Sequence, residues 1–189
     1  MKITKVGVIG AGQMGSGIAH VCALAGMEVG IHDIAFERIA AGKELIAANM
    51  GRQVKSGKIT EAERNSALAR ISGIESYAGF GDHDLIIESA TEKEAVKHQI
   101  FEALCPHLKP EALLGSNTSS ISITRLAANT DRPEKFMGVH FMNPVPVMEL
   151  VELIRGIATD DKTFGSVKEY ALALNKTIAV SEDFPAFIV

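Results

Sequence analysis

The sequence predicts an α/β fold, a doubly wound and mostly parallel sheet covered by helices on both faces, and three observations lead to it. Short apolar runs alternate with helix-like stretches along the 189 residues. A glycine-rich turn joins the first run to the first helix, and an acidic residue closes the second run. Length and composition agree. At about 150 residues per domain the chain is one domain with a modest extension, and 47% hydrophobic against 22% charged residues supports a sizeable core.

In order, Lys5 to Ile9 is the first strand and Gln13 to Gly26 the first helix. A second apolar run, Glu28 to His32, stops at Asp33. The Ala-, Glu- and Lys-rich stretch from Ala35 to about Lys55 reads as a long helix, and Thr60 with Glu63 as a capping box opens another. This helical insertion, residues 35–70, exceeds what a crossover needs and is expected to project from the sheet. Further strands follow at Ile71 to Ile74, Leu85 to Glu88, Ala112 to Ser116 and Phe136 to Phe141. Between them, Val96, Ile100, Phe101 and Leu104 mark one buried helix face within Lys93 to Leu108. After Asn143-Pro144-Val145-Pro146, the run from Met148 to Ile154 is expected to be a late, antiparallel strand.

Composition excludes several function classes. Nineteen basic against 23 acidic residues leave a formal charge of -4, which argues against a nucleic-acid or anionic-membrane surface. Cys22 and Cys105 lie singly in apolar stretches and read as reduced, buried thiols. No apolar run is long enough to span a bilayer and the amino terminus begins as a strand, so the expected compartment is the cytoplasm. Asn117-Thr118-Ser119 and Asn175-Lys176-Thr177 match the glycosylation pattern and read as chance matches.

Gly10-Ala11-Gly12-Gln13-Met14-Gly15 fits G-x-G-x-x-G in the context that gives it meaning, after a strand and opening a helix. Gly10 makes the tight turn, Gly12 leaves room for a pyrophosphate, and Gly15 lets helix and strand pack closely. The helix amino end then faces the phosphates. Asp33 lies 23 residues after Gly10, where a carboxylate accepts hydrogen bonds from ribose hydroxyls and repels a 2′-phosphate. The domain therefore reads as Rossmann-like with NAD as cofactor; these residues alone leave FAD open.

Alcohol oxidation also needs a base, and histidine suits neutral pH. His20, His32, His83, His98 and His107 are adequately explained by ordinary structural roles. His140 differs, because it sits at the carboxyl end of a late strand, where open parallel sheets hold their ligands. Glu149 and Glu152 follow on the next strand, within reach of the imidazole. Ser116-Asn117-Thr118-Ser119-Ser120 is a second polar cluster at a strand end, suited to substrate contacts or to capping a helix at Ile121.

With these motifs the sequence resembles the 3-hydroxyacyl-CoA dehydrogenase family, in particular its short bacterial 3-hydroxybutyryl-CoA branch. The resemblance rests on Val8 to Ala19, Ser116 to Ser120 and His140-Phe141-Met142-Asn143-Pro144-Val145-Pro146-Val147-Met148. It implies reversible oxidation of a 3-hydroxyacyl-CoA with NAD, with His140 as base, Glu152 as its orienting carboxylate and Ser119 at the substrate oxygen. It implies cofactor contacts from Gln13, Met14, Glu92, Lys97, Asn117, Ser119 and Asn143 beside the glycines and Asp33. Coenzyme A would meet the inserted helices at Asn49, Arg52, Lys55 and Ser56, with Lys58 as a further candidate. No metal is implied.

Ser56 stands where relatives often carry lysine, and Pro185-Ala186 replaces their Pro-Gly. The family continues with an Asn-Arg pair and a helical domain of about a hundred residues that makes a dimer and closes the acyl site. Together with the apolar close Phe184, Phe187, Ile188 and Val189, this gives the expectation that the chain is the cofactor-binding portion of a longer homodimeric enzyme. The competing reading is a non-catalytic dinucleotide-binding or crystallin-like module, which would have no need for His140, Glu152 and Ser119 together.

Overall fold

The structure, a computed structural model, describes residues 1–184; Pro185-Ala186 and the apolar residues Phe187, Ile188 and Val189 lie outside the described residues. Eight strands form one sheet: β1 (Lys5–Ile9), β2 (Glu28–His32), β3 (Ile71–Gly73), β4 (Leu85–Glu88), β5 (Leu113–Ser116), β6 (Phe136–Phe141), β7 (Leu150–Arg155) and β8 (Thr177–Glu182). The order is β3-β2-β1-β4-β5-β6-β7-β8. Neighbours from β3 through β6 are parallel, β7 runs antiparallel to β6, and β8 is parallel to β7. The order reverses direction between β1 and β4, which opens a crevice at the carboxyl ends of those strands.

Among the described residues six α-helices connect them: α1 (Gln13–Leu24), α2 (Phe36–Lys55), α3 (Glu61–Ala69), α4 (Glu94–Leu104), α5 (Ile123–Ala128) and α6 (Asp161–Ala173). One core joins Ile18, Ile46, Val167 and Tyr170 to the sheet, and the other joins Phe101, Leu104, Ile123 and Leu126 to the opposite face. Both sheet faces are thus covered, as strands made of continuous apolar runs require.

The capping box at Thr60 and Glu63 is formed in both directions, at 2.7 and 3.2 Å. The helical pair expected to project from the sheet packs mainly on α1, which lies between it and the strands. Ile39, Ile46 and Met50 of α2 and Ala67 of α3 are buried, and both helices pack on α1, because an apolar stripe of that width is stable only when covered. The helix expected at Ile121 begins at Ile123 instead, capped by Ser122. The element pair α6 and β8 lies beyond the alternation read from the sequence.

Candidate functional site

The glycine turn takes the shape its spacing requires. Gly10 has φ +103°, and a Cβ on Gly15 would lie 1.7 Å from the Gly10 carbonyl oxygen, so neither position accepts a side chain. A Cβ at Gly12 would meet nothing within 4 Å, leaving open space where the backbone faces the crevice. Helix α1 has no side-chain cap and no acidic residue in its first turn, which leaves its positive end and backbone N–H groups for an anion. Asp33 accepts from the Ala11 N–H at 2.7 Å and the Ile34 N–H at 2.8 Å. Each carboxylate oxygen retains acceptor capacity for a ribose hydroxyl. A cavity of about 560 Å³ beside Gly10, Gly12 and Asp33 is walled by Tyr77, Val96 and Ile100. Its shape and donors fit an adenosine and a pyrophosphate.

At the crevice itself the sheet ends in a buried charge that sequence reasoning missed. Glu88 closes β4 in register with Ile9 and Ser116. It accepts from Lys97 Nζ at 2.8 Å on both oxygens, from the Ser116 hydroxyl at 2.7 Å and from the Ala90 N–H at 2.7 Å. Lys97 is therefore almost fully buried, and its ammonium is committed to Glu88, with Glu92 at 3.4 Å. The only signal in the sequence is an acid ending an apolar run. Glu92 in turn accepts from the Thr118 hydroxyl and the Ser119 N–H. Burial opposes ionisation of Glu92, but these bonds and Lys97 outweigh it and hold its carboxyl below the usual range.

The second cavity, about 510 Å³, brings together Gly12, Gln13 and Met14 with Glu92, Lys97, Asn117, Ser119, His140 and Asn143. Asn117 ties β5 to β6 by accepting from the Phe141 N–H at 2.8 Å. Asn143 accepts from Gln13 Nε2 at 2.9 Å. Asp183, another residue not read from the sequence, caps α5 through the Ile123 and Thr124 N–H groups and the Ser122 hydroxyl, and so holds the far end of the Ser119 loop.

His140 and Glu152 face each other across the antiparallel β6–β7 pair. Nδ1 lies 2.7 Å from Glu152 Oε2. A carboxylate oxygen accepts, so Nδ1 donates and the basic lone pair falls on Nε2. Glu152 is wholly buried, and its Oε1 has no hydrogen-bond partner among the described residues. Glu149, the other sequence candidate, is exposed ahead of β7. Such a pair can take up a proton at Nε2 while the buried carboxylate supports the imidazolium.

A third cavity, about 220 Å³, lies between the end of α2 and the β6–β7 turn. Asn49, Arg52, Ser56 and Lys58 line it from one side, Pro144 and Val147 from the other. Of the residues expected to meet coenzyme A, Lys55 does not line it. At about 100° per residue Lys55 is rotated some 120° from Asn49, while Arg52, Gln53 and Ser56 share its face. His20, given an ordinary structural role above, lies at this cavity with Nε2 2.9 Å from Gln53 Oε1.

The model of the family described as "3-hydroxyacyl-CoA dehydrogenase, NAD binding domain" matches residues 5–184. The chain belongs to this family. A 3-hydroxybutyryl-CoA dehydrogenase of Bradyrhizobium diazoefficiens is 61% identical over 187 residues, 99% of this chain and 64% of that protein. Among solved structures, the (S)-3-hydroxybutyryl-CoA dehydrogenase PaaH1 of Ralstonia eutropha aligns with a TM-score of 0.97 and 44% identity over 100% of this chain and 66% of that one. FadB2 of Mycobacterium tuberculosis aligns with a TM-score of 0.97 and 43% identity over 100% of this chain and 67% of that one. The chain thus spans about two thirds of the length of these family members, 64% in the first case. Family membership makes the chain an NAD-binding domain, and FAD no longer competes.

Proposed function

We propose that this chain is the cofactor-binding part of an enzyme that interconverts 3-hydroxyacyl-CoA and 3-oxoacyl-CoA with NAD. The observation that carries the proposal is the pair of half-buried His140 and buried Glu152, 2.7 Å apart, with His140 opening into the same cavity as the glycine turn. A structural or binding-only module has no use for a buried carboxylate set behind a histidine at a cofactor crevice.

NAD, when bound, supplies the hydride-accepting chemistry. The chain's own residues do the rest. His140 Nε2 takes the proton of the 3-hydroxyl group as the carbon gives up its hydride, and Glu152 holds the Nδ1 proton and supports the imidazolium. Ser119, on the Glu92-anchored loop, donates to the substrate oxygen. Gly10, Gly12, Gln13, Met14, Gly15 and Asp33 hold the pyrophosphate and ribose, while Glu92, Asn117 and Asn143 border the nicotinamide end; Lys97 acts there through Glu92 rather than as an exposed cation. Arg52 and Lys58, beside Asn49 and Ser56, supply the positive charge for coenzyme A phosphates. A helical segment following this chain would close the acyl site and make a homodimer, and the enzyme would work in the cytoplasm. No helix among the described residues is long and apolar enough to cross a membrane.

The test follows NADH absorbance with acetoacetyl-CoA and with free acetoacetate, in a protein carrying this chain and the helical segment of its relatives. The proposal expects oxidation with the thioester and little with the free acid. Equal rates would remove the coenzyme A assignment, and no oxidation with either would remove the reaction.

A further inference from the structure

We propose that Lys176 is a positioning residue that holds the β6–β7 turn in the shape that receives the coenzyme A arm of the substrate, a role that rests on the function proposed above. The turn, Met142 to Glu149, is the wall shared by two cavities. Asn143 faces the one containing His140, and Pro144, Pro146 and Val147 face the one containing Arg52 and Lys58.

The two halves of this wall are anchored differently. Asn143 lies two residues after the end of β6 and is held by Gln13 at 2.9 Å. The second half depends on Lys176, whose ammonium donates to the Val145 carbonyl at 2.7 Å and the Met148 carbonyl at 2.6 Å. Within the turn, the Val147 and Met148 N–H groups both donate to the Pro144 carbonyl at 2.9 Å. Two carbonyls three residues apart, drawn to one buried cation, fix the curvature between them.

Lys176 reaches this place by local chemistry. Helix α6 ends with Asn175 at φ 57°. The Asn175 N–H donates to Leu172 and the Lys176 N–H to Ala171, at 2.9 and 3.2 Å, which is the αL helix ending that reverses the chain. That reversal starts β8 and turns Lys176 inward, leaving it 8% exposed. Asn175-Lys176-Thr177, discounted above as a glycosylation match, therefore serves as a helix stop that delivers a buried cation. A lysine is costly to bury when a methionine of similar length would pack without penalty. Its two carbonyl partners account for its presence, and those carbonyls belong to the turn.

The experiment compares Lys176→Met and Lys176→Arg with the parent, each carried in the protein extended by the helical segment, by amide hydrogen exchange at Val147 and Met148, by NADH affinity and by acetoacetyl-CoA affinity. In Lys176→Met we expect faster exchange at both amides, acetoacetyl-CoA affinity lower by about tenfold from the lost charged hydrogen bonds, and NADH affinity within about twofold, since Asn143 keeps its own anchor. Lys176→Arg should restore most of the acetoacetyl-CoA affinity. Unchanged exchange at both amides overturns the proposal. So does a parallel loss of both ligands that Lys176→Arg fails to restore, because that marks a cation needed only for folding. If the parent itself does not bind acetoacetyl-CoA, the function proposed above fails, while exchange and NADH affinity still decide the role of Lys176. Should Lys176→Met not fold, Lys176→Gln, which keeps one donor, is expected to give an intermediate exchange rate at the two amides. Parent-like exchange in that variant overturns the proposal equally.

Discussion

Replacing Glu152 by glutamine separates what the carboxylate does for catalysis from what it costs the fold. Glu152 is buried, Oε2 meets His140 Nδ1 at 2.7 Å, and Oε1 has no hydrogen-bond partner among the described residues. The charge is thus poorly compensated, and a buried charge in that state destabilises. In Glu152→Gln the amide oxygen can still accept from Nδ1, so the ring keeps its orientation but loses the support of a negative charge. Hydrogen bonds to charged groups contribute about 1.5 to 3 kcal/mol, so the loss should lower kcat by roughly ten- to a hundredfold. Thermal stability should stay level or rise. The assay is steady-state NADH oxidation with acetoacetyl-CoA, paired with a melting curve, in the protein extended by the helical segment. A kcat within about twofold of the parent would refute the orienting role. A large fall in Tm with normal turnover would show that the carboxylate belongs to the core.

Asp33 should make the chain prefer NADH to NADPH by roughly ten- to a hundredfold, the scale of like-charge repulsion at a partly solvated site. Fluorescence titration of Asp33→Ala should show the preference narrowed, together with a general loss of affinity because Asp33 also holds the Ala11 N–H. A third prediction concerns acid stability. Burial would raise the Asp84 carboxyl, but bonds from Lys109, the Thr4 and Lys5 N–H groups and the Thr4 hydroxyl outweigh it and bring its pKa down to about 2. A carboxyl depressed on folding stabilises above its unfolded pKa, so about 2 kcal/mol should be lost as pH falls from roughly 4 to 2. Urea midpoints across that range should fall less steeply in Asp84→Asn than in the parent.

The strands that form the crevice were legible because β1, β4, β5 and β6 are buried on both faces and read as unbroken apolar runs. Strand β8 was not. Its residues Thr177 to Glu182 are all exposed or half-buried at the sheet edge, and half-polar segments of that kind look like loop. The glycine turn, Asp33 and His140 were legible because each chemistry needs a residue type at a fixed place on a strand end. From strand position alone Glu152 was one of two carboxylates; the family resemblance singled it out, and the register pairs it with His140. The Glu88, Lys97 and Ser116 cluster was hidden for a different reason. Its members come from two strands and a helix, and no local pattern reports which charge a lysine meets inside a fold. Likewise, that His20 and not Lys55 lines the cavity beside Arg52 depends on which side of α1 and α2 meets the β6–β7 turn, a tertiary fact.

The central claim is that one crevice holds NAD and carries proton transfer at His140. Its most direct test is His140→Gln in the extended protein, measuring NADH affinity by fluorescence and single-turnover reduction of acetoacetyl-CoA in the same preparation. The glutamine can still donate to Glu152, so the fold and the glycine turn should be undisturbed. The account predicts NADH affinity close to the parent's and a turnover lower by about two to four orders of magnitude, the usual contribution of a positioned acid-base group. Turnover within about tenfold of the parent, or loss of NADH binding in step with turnover, would contradict it and make His140 a structural residue.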